Sequence, residues 1–262
     1  MENAIDLERY PILDLKSKAA QDLIASCSQQ MNDVGACALD GFVLPGVIDN
    51  IVSELKPKFD EAYYCAHDHN AYLAPDDESF PPDHARNRKL VTDVGCLADD
   101  LIPEQSVLKA IYNWEPLQNF IASVLGFEKL YPYADPLGSL NVNLFQPGQQ
   151  HAWHFDNADW VSTIMLQPAK MGGIYEYVPG VRTPEDQGYE AITPILDGER
   201  TNVRKLNMGK GSLVLFQGRY SIHRVTPIEG TDPRMVAVLS YDATPGVMLS
   251  EHNRRLFYGR VA

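Results

Sequence analysis

From Tyr131 to Asp242 the chain is a series of short apolar segments separated by turns, and this series limits the fold more than any other feature. The segments include "LNVNLF", "VSTIMLQ", "SLVLFQG" and "RMVAVLSYD", and the turns include "QPGQ", "MGG", "GKGS" and "EGTDP". Segments of this length, bounded by Gly and Pro, are typical of antiparallel strands. The sequence therefore predicts a mainly β protein, with a jelly roll or barrel over residues 131–245 and helices packed on one outer face.

The preceding residues, 1–130, are predicted to be a mainly helical support region of the same domain, which would span residues 1–262. The stretch "LDLKSKAAQDLIASCSQQM" has apolar residues at helical spacing, and further helices are expected over residues 47–64 and 104–125. The regular periodicity of these stretches favours helices that bury one face against the β core.

Three other segments are expected to lie outside the strands. Residues 71–89, "AYLAPDDESFPPDHARNRK", are rich in proline and charge and predict a long loop. Residues 179–200 are too long and polar for a hairpin and predict an excursion over one end of the barrel. Residues 246–262 are predicted to be a C-terminal helical segment.

Composition and charge exclude several classes of partner. The 262 residues carry a formal net charge of −13, with 45% hydrophobic and 22% charged residues, which is ordinary for a soluble globular protein. No Lys/Arg cluster of the kind that binds a phosphate backbone interrupts this acidity. The start, "MENAIDLERYPILDL", lacks the basic and apolar regions of a secretory signal, and no later segment predicts a membrane span. We therefore expect a cytoplasmic protein without nucleic-acid or membrane partners, in which the 4 cysteines are free buried thiols.

The motif "WHFD", residues 153–156, contains two candidate metal ligands. Side chains alternate across a strand, so His154 and Asp156 are predicted to project to the same side. His223, in the apolar stretch "SLVLFQGRYSIHRV", is a candidate third ligand. Two histidines and one carboxylate on one face leave three positions open on a metal, as in non-haem Fe(II) oxygenases. The alternatives are an accidental HxD pair and a satisfied core histidine.

Arg234 strengthens the metal hypothesis. It stands at the head of the apolar strand "RMVAVLSY", where a guanidinium pointing into a barrel is costly unless an anion pairs with it. A dicarboxylate that chelates the metal at one end would present such an anion at the other, in the bidentate geometry that arginine favours. The alternative is a surface arginine at the start of a strand.

Together these residues resemble the Fe(II)/2-oxoglutarate-dependent dioxygenases, whose fold is the cupin-like double-stranded β-helix. The stretches "LYPYADPLGSLNVNLF", "WHFDNADW", "GRYSIHRVTPIEG" and "LFYGR" are similar to the group of BesD-like amino-acid halogenases and related hydroxylases. The resemblance implies that His154, Asp156 and His223 bind Fe(II), and that 2-oxoglutarate is a cosubstrate held by Arg234 and contacted by Asn143. For Asn143, a strand-end amide bonded to the backbone is the alternative.

The same resemblance implies the reaction. Halogenases of the group have a small residue where hydroxylases keep the carboxylate, and this chain has Asp156. We therefore expect a hydroxylase that uses O2 and releases succinate and CO2. Open alternatives are a desaturase, a non-catalytic metal-binding jelly-roll protein, and a zinc hydrolase, which would give Arg234 no role.

The substrate is expected to be a small molecule, a free amino acid or an analogue, and a homodimer is compatible with the sequence. The carboxylate of such an amino-acid substrate would need a cationic partner. His151, three residues before His154, and Arg86 and Arg88 in the 71–89 loop are the candidates, because a loop beside a barrel mouth is a common place for binding residues. The alternative for both arginines is solvated loop charge.

Overall fold

Two antiparallel sheets that face each other form the centre of the computed structural model, which describes residues 1–261. The strands are β1 (Ala36–Leu39), β2 (Tyr63–His69), β3 (Leu90–Leu97), β4 (Tyr131–Pro132), β5 (Leu140–Phe145), β6 (His151–His154), β7 (Val161–Gln167), β8 (Met171–Gly172), β9 (Tyr175–Val178), β10 (Arg204–Leu206), β11 (Leu213–Phe216), β12 (Ile222–Val225), β13 (Ile228–Glu229), β14 (Arg234–Leu239) and β15 (Tyr241–Asp242).

The order of the strands is that of a double-stranded β-helix. The larger sheet has the order β1-β11-β7-β14-β5-β3-β2, and the smaller has the order β10-β9-β12-β6. Along the chain, β5, β7, β11 and β14 enter the larger sheet, while β6, β9 and β12 enter the smaller one between them. This alternation closes two sheets around a common interior, and it confirms the predicted jelly roll.

Helices precede, interrupt and follow the barrel. They are α1 (Lys18–Val34), α2 (Pro45–Leu55), α3 (Val107–Tyr112), α4 (Glu115–Leu125), α5 (Tyr189–Leu196) and α6 (Glu251–Tyr258), with short 3-10 helices at Glu2–Ala4, Lys56–Glu61 and Asp99–Leu101. Helix α4 ends at Gly126, whose φ of 78° is the left-handed conformation of a helix C-terminus. None of the helices within residues 1–261 combines the length and the apolar character needed to cross a lipid bilayer.

The main hydrophobic core lies between α1–α4 and the outer face of the larger sheet. Alternate side chains of β5 and β14 point into this core, namely Leu140, Val142, Leu144, Met235, Ala237 and Leu239. Burying each of the larger side chains, the Leu, Val and Met residues, contributes about 1.5–3 kcal/mol. The intervening residues of the same strands face the barrel interior. The predicted packing of the N-terminal helices on one face is therefore confirmed.

Residues 1–130 contain more β structure than their periodicity predicts. The helix expected over residues 47–64 ends at Leu55, and β2 begins at Tyr63. Pro57 lies between them, and a proline lacks the N–H that an α-helix needs there. Strands β1, β2 and β3 extend the larger sheet at its two edges. Their register is set by pairing with strands that are distant in sequence or lie across a long loop, which local patterns do not reveal.

The loop and the excursion pack against each other at one end of the barrel. Residues 71–89 contain no helix or strand, as predicted, whereas α5 lies within residues 179–200. The Tyr72 hydroxyl donates to the Gln187 carbonyl at 2.7 Å, joining the two segments. Their side chains share a hydrophobic cluster with Phe155, which follows β6 directly.

The C-terminal segment is fixed to the barrel by one buried carboxylate. Asp135, only 2% exposed, accepts hydrogen bonds from the backbone N–H groups of Leu137, Gly138 and Leu249 and from Arg254 Nε of α6 at 2.8–2.9 Å. Burial raises the pKa of Asp135, but these donors lower it by more, so the net shift is downward.

We predict that Asp135→Asn lowers the free energy of unfolding by about 3 kcal/mol, because it leaves the largely buried Arg254 charge without its ionic partner. Urea denaturation measures this, with Asp33→Asn on the exposed surface of α1 as the control. Since the folded pKa is depressed, the contribution is complete above the unfolded pKa of about 3.9 and is lost as the pH falls through the folded value. Equal stabilities of variant and wild type at pH 7 would contradict the prediction.

Candidate metal centre

Three predicted ligands converge in the barrel interior. His154 at the end of β6 and His223 on β12 are register partners in the smaller sheet. Asp156 Oδ1 lies 3.6 Å from His154 Nε2, and Asp156 Oδ2 lies 3.5 Å from His223 Nε2. One ligand atom from each residue lies within 4.8 Å of the others, so the group could hold a metal ion.

Asp156 reaches this position although β6 ends before it. Strand alternation would place Asp156 beside His154 only if β6 continued to residue 156, but the strand stops at His154. Beyond His154, two backbone hydrogen bonds take the place of the strand-to-strand hydrogen bonds. Phe155 N donates to the Ala71 carbonyl at 2.7 Å, and Asp156 N donates to the Gly218 carbonyl at 3.1 Å. The carboxylate is thus aimed by the 71–89 loop and by the segment before β12.

Both imidazoles are oriented with Nε2 toward the carboxylate. His154 Nδ1 lies 2.8 Å from the Ala152 carbonyl, and His223 Nδ1 lies 2.9 Å from the Ser221 carbonyl. A carbonyl accepts only from an Nδ1–H, so each Nε2 keeps a lone pair free in the neutral ring. Metal-binding histidines are commonly held by such a bond from the second ring nitrogen.

The electrostatics favour the protonation states of metal ligands. Burial lowers the pKa of His154, and the neighbouring His223 lowers it further. Burial raises the pKa of Asp156, but His223 and His154 more than offset this and hold it well below its usual range. Asp156 Oδ2 is buried and has no hydrogen-bond partner within residues 1–261. An ionised carboxylate with an unpartnered oxygen, facing the Nε2 atoms of two imidazoles, fits a divalent cation.

Arg234 lines the same cavity, which measures about 240 Å³. It begins β14, is 2% exposed, and lies with Cζ 5.4 Å from the centre of the Phe145 ring. Burial lowers its pKa to about 10, which leaves the guanidinium charged at neutral pH. Its Nη1 has no partner in the described part of the chain. A buried, unpaired cation of this kind is suited to an anionic ligand.

Asn143 on β5 also faces the cavity. Its Oδ1 accepts a bond from the Cys96 thiol at 3.4 Å. Because this bond uses only the amide oxygen, Nδ2 remains a donor for a ligand. The alternative of a strand-end amide bonded to the backbone does not describe its position.

His151 reaches the cavity through a β-bulge. On β12, His223 and Val225 are two positions apart, whereas their partners on β6, His154 and His151, are three positions apart. The extra residue places both histidines on one side, which regular alternation would not do. The His151 ring stacks on that of His154, with centroids 3.8 Å apart, and burial lowers the pKa of His151.

Arg86 and Arg88 do not line the cavity. Arg86 donates to the Pro75 carbonyl at 2.8 Å and lies over the Tyr72 ring. Arg88 pairs with Asp197 at 2.5 Å. Through these contacts both guanidinium groups hold the 71–89 loop in place. Of the predicted substrate residues, the structure brings only His151 to the metal ligands.

Three residues of the site were not predicted from the sequence. Tyr175 stacks on His223 at 5.5 Å, and the alternation in "IYEYV" could have placed it inside. Leu73 lines the cavity with φ of 49°, for which no sequence signal exists. Gly218 lies against Asp156, and its position five residues before His223 is the only hint in the sequence.

Comparison with known proteins shows the following similarities. A family model described as Halogenase D matches residues 81–254. An oxidoreductase of the 2OG-Fe(II) oxygenase family from Burkholderia pseudomallei is 12% identical, with a TM-score of 0.53 over 86% of this chain and 92% of that chain. AviO1 from Streptomyces viridochromogenes Tue57 is 16% identical, with a TM-score of 0.58 over 85% and 96%.

The epimerase SnoN, in complex with Fe3+, alpha ketoglutarate and nogalamycin RO, is 12% identical, with a TM-score of 0.58 over 84% of each chain. At these identities the structural likenesses establish the shared fold. No curated protein is similar enough in sequence to match the chain.

Gly218 provides a test of the ligand geometry. A Cβ at this position would lie 2.5 Å from Cγ and 2.7 Å from Cβ of Asp156, and closer still to Oδ2. Because the Cβ of Asp156 is fixed by its backbone, a rotamer change cannot relieve the contact, and the carboxylate must leave its place.

We therefore predict that Gly218→Ala weakens Mn(II) binding at least tenfold, measured by titration calorimetry, although it removes no ligand. In an Asp156→Gly background the same substitution should have little further effect on thermal stability, because the clash is gone. Gly46→Ala, where no atom lies within 4 Å of the added Cβ, is the matched control. Unchanged Mn(II) affinity in Gly218→Ala would show that the carboxylate is not a ligand in this geometry.

Proposed function

Since the chain belongs to the family described as Halogenase D, we propose that it is an Fe(II)- and 2-oxoglutarate-dependent dioxygenase. The proposed reaction is hydroxylation of an unactivated C–H bond of a small molecule, a free amino acid or a close analogue. The observation that carries the proposal is the placement of His154, Asp156, His223 and the unpaired Arg234 guanidinium in one buried cavity.

In this proposal each residue has one task. The Nε2 atoms of His154 and His223 and the Asp156 carboxylate hold Fe(II). Arg234 pairs with the distal carboxylate of 2-oxoglutarate, and Asn143 donates to the cosubstrate from the same wall. Bound Fe(II) would supply the oxidative chemistry: O2 is the oxidant, 2-oxoglutarate gives up two electrons as it is converted to succinate and CO2, and the C–H bond gives up the other two as it becomes C–OH.

The remaining work of the protein is positioning and exclusion of water. The carbonyls of Ala152 and Ser221 keep both imidazoles in the ligand tautomer. The apolar walls and Tyr175, which covers one face of His223, keep bulk water from the ligands. His151, stacked on His154, presents an imidazole beside the ligands where a substrate carboxylate can accept a hydrogen bond.

The carboxylate at position 156 supports hydroxylation over halogenation. The resemblance described above implies that halogenases free a coordination position for chloride by placing a small residue here. In this chain Asp156 is present, and both of its oxygens lie near the imidazole Nε2 atoms. A carboxylate in this place leaves no vacant position for a halide once 2-oxoglutarate and O2 are bound.

We predict that protein reconstituted anaerobically with Fe(II) forms succinate from 2-oxoglutarate on exposure to air, and converts an amino acid to a product about 16 mass units heavier, one oxygen being gained. Mass spectrometry in buffer containing bromide should detect no brominated product. Asp156→Ala should reduce turnover at least a hundredfold, with the folded circular-dichroism spectrum retained. Asp159→Ala, a nearby loop aspartate that pairs with Arg219 instead, serves as the control.

Brominated product from the wild type would overturn the hydroxylase assignment. If exposure to air produced no succinate from 2-oxoglutarate, whichever amino acid was added, the result would favour a non-catalytic metal-binding protein.

A second prediction concerns the cosubstrate. Arg234→Lys should raise the KM for 2-oxoglutarate at least tenfold while changing the substrate KM much less, because lysine keeps the charge but loses the two-pronged contact. Steady-state succinate formation measures both constants. Arg9→Lys, on the exposed N-terminal segment, is the control. An unchanged KM for 2-oxoglutarate would remove Arg234 from the cosubstrate site.

A further inference from the structure

The inner face of the larger sheet forms the floor of the cavity, and its composition can be derived from the strand register. Asn141 of β5 faces Val238 of β14, Val238 faces Thr163 of β7, and Thr163 faces Val214 of β11. These four side chains form one row across the sheet, and all of them line the cavity. We call this row, Asn141, Val238, Thr163 and Val214, the floor row.

The floor row contains no ionisable group, and the charged groups around it are already used. Within residues 1–261, Asp156 and Arg234 are the only Asp, Glu, Lys or Arg side chains that line the cavity. The proposed function assigns Asp156 to the metal and Arg234 to 2-oxoglutarate. A charged group on the part of the substrate that lies against the floor row would therefore lose its hydration without gaining an oppositely charged partner, which is costly in an apolar site.

Two neutral groups of the floor row are free to bind a ligand. The Ser240 hydroxyl beside the row is occupied, since it donates to the Gly138 carbonyl at 2.9 Å. Asn143 in the next row accepts from the Cys96 thiol. The Asn141 amide, although its side chain is buried, and the Thr163 hydroxyl make no comparable bond to the described residues. Alternating with the two valines of the row, they offer one amide and one hydroxyl to an uncharged partner.

From these observations we infer that the substrate is an amino acid whose side chain is uncharged: aliphatic, or ending in a neutral amide or hydroxyl group. This inference rests on the proposed function, because it takes the metal and 2-oxoglutarate to occupy Asp156 and Arg234. His151 faces the amino-acid carboxylate beside the metal, and the side chain lies along the floor row. The cavity volume of about 240 Å³ is below the roughly 300–1,000 Å³ usual for drug-sized ligands. Because 2-oxoglutarate shares this cavity in the proposed function, the space left fits only a small substrate.

The test compares amino acids that have nearly the same shape and differ in charge. Titration calorimetry on Mn(II)-loaded protein saturated with 2-oxoglutarate measures binding without turnover. We expect norleucine to bind at least tenfold more tightly than lysine, and glutamine at least tenfold more tightly than glutamate. Tighter binding of lysine or glutamate than of its neutral counterpart would overturn the inference.

A charge placed in the floor row should change this order in a defined direction. Asn141→Asp adds a carboxylate at the same position with little change in volume, so lysine should gain at least tenfold over norleucine relative to the wild type. Asn32→Asp, exposed on α1 far from the cavity, should leave the ratio unchanged. An unchanged ratio in Asn141→Asp would show that the substrate side chain does not reach the floor row.

The same titrations separate failure of the inference from failure of the proposed function. If Mn(II) and 2-oxoglutarate bind but none of the four amino acids does, the substrate inference is overturned and the oxygenase assignment stands. If the protein binds neither Mn(II) nor 2-oxoglutarate, the proposed function itself fails, and the inference that depends on it fails too.

Discussion

The antiparallel pairing of β6 with β12 holds His154 directly opposite His223, and the arrangement of the cavity depends on this pairing. Once the two imidazoles face each other, the carboxylate that follows β6 is held between them by backbone bonds to Ala71 and Gly218. The barrel interior then contains the Asp156 carboxylate beside the two imidazoles and the Arg234 guanidinium elsewhere in the same cavity, with no bond between these two charged groups. Buried charges of this kind are costly unless ligands neutralise them. Ligands that bind only the folded chain would return this cost as added stability.

The fold could be predicted from the sequence because its main signal is local. Short strands with Gly- and Pro-rich turns from residue 131 onward are enough to indicate a jelly roll, and the helical spacing of residues 13–31 is enough to indicate α1. The strands β1, β2 and β3 could not be predicted in the same way, because each becomes a strand by pairing with residues far away or across a long loop. The helix predicted over residues 47–64 shows the same limit. It ends at Leu55, because Pro57 follows and because the residues from Tyr63 onward pair as an edge strand of the larger sheet.

The metal centre was partly predictable for a different reason. His154, His223 and Arg234 lie on strands, where alternation determines which side chains point inward. His151 lies on the same side as His154 only because of a bulge, and a bulge leaves no reliable mark in one sequence. Arg86 and Arg88 look like binding residues in a polar loop, but Arg86 lies over the Tyr72 ring and Arg88 pairs with Asp197, and neither lines the cavity. Gly218 and Leu73 matter through backbone geometry, which composition does not report.

Membership of a family described by halogenation gives position 156 particular weight. The carboxylate needs space as well as a backbone position, and Gly218 supplies that space. Residues 156 and 218 therefore form a matched pair: a side chain at position 218 would exclude the carboxylate at position 156. A substitution at either position changes how many ligands the protein offers to a metal.

The strict alternation of β5 and β14 also has a consequence for how such a protein can change over time. On these strands, the residues that hold the helices, such as Leu140 and Met235, point away from the cavity, whereas Asn141 and Val238 point into it. Substitutions at the inward positions alter which substrates the cavity can bind without disturbing the packing of the helices on the opposite face of the sheet. Descendants of one ancestral chain could thus acquire new substrates through single inward substitutions, each made at little risk to folding.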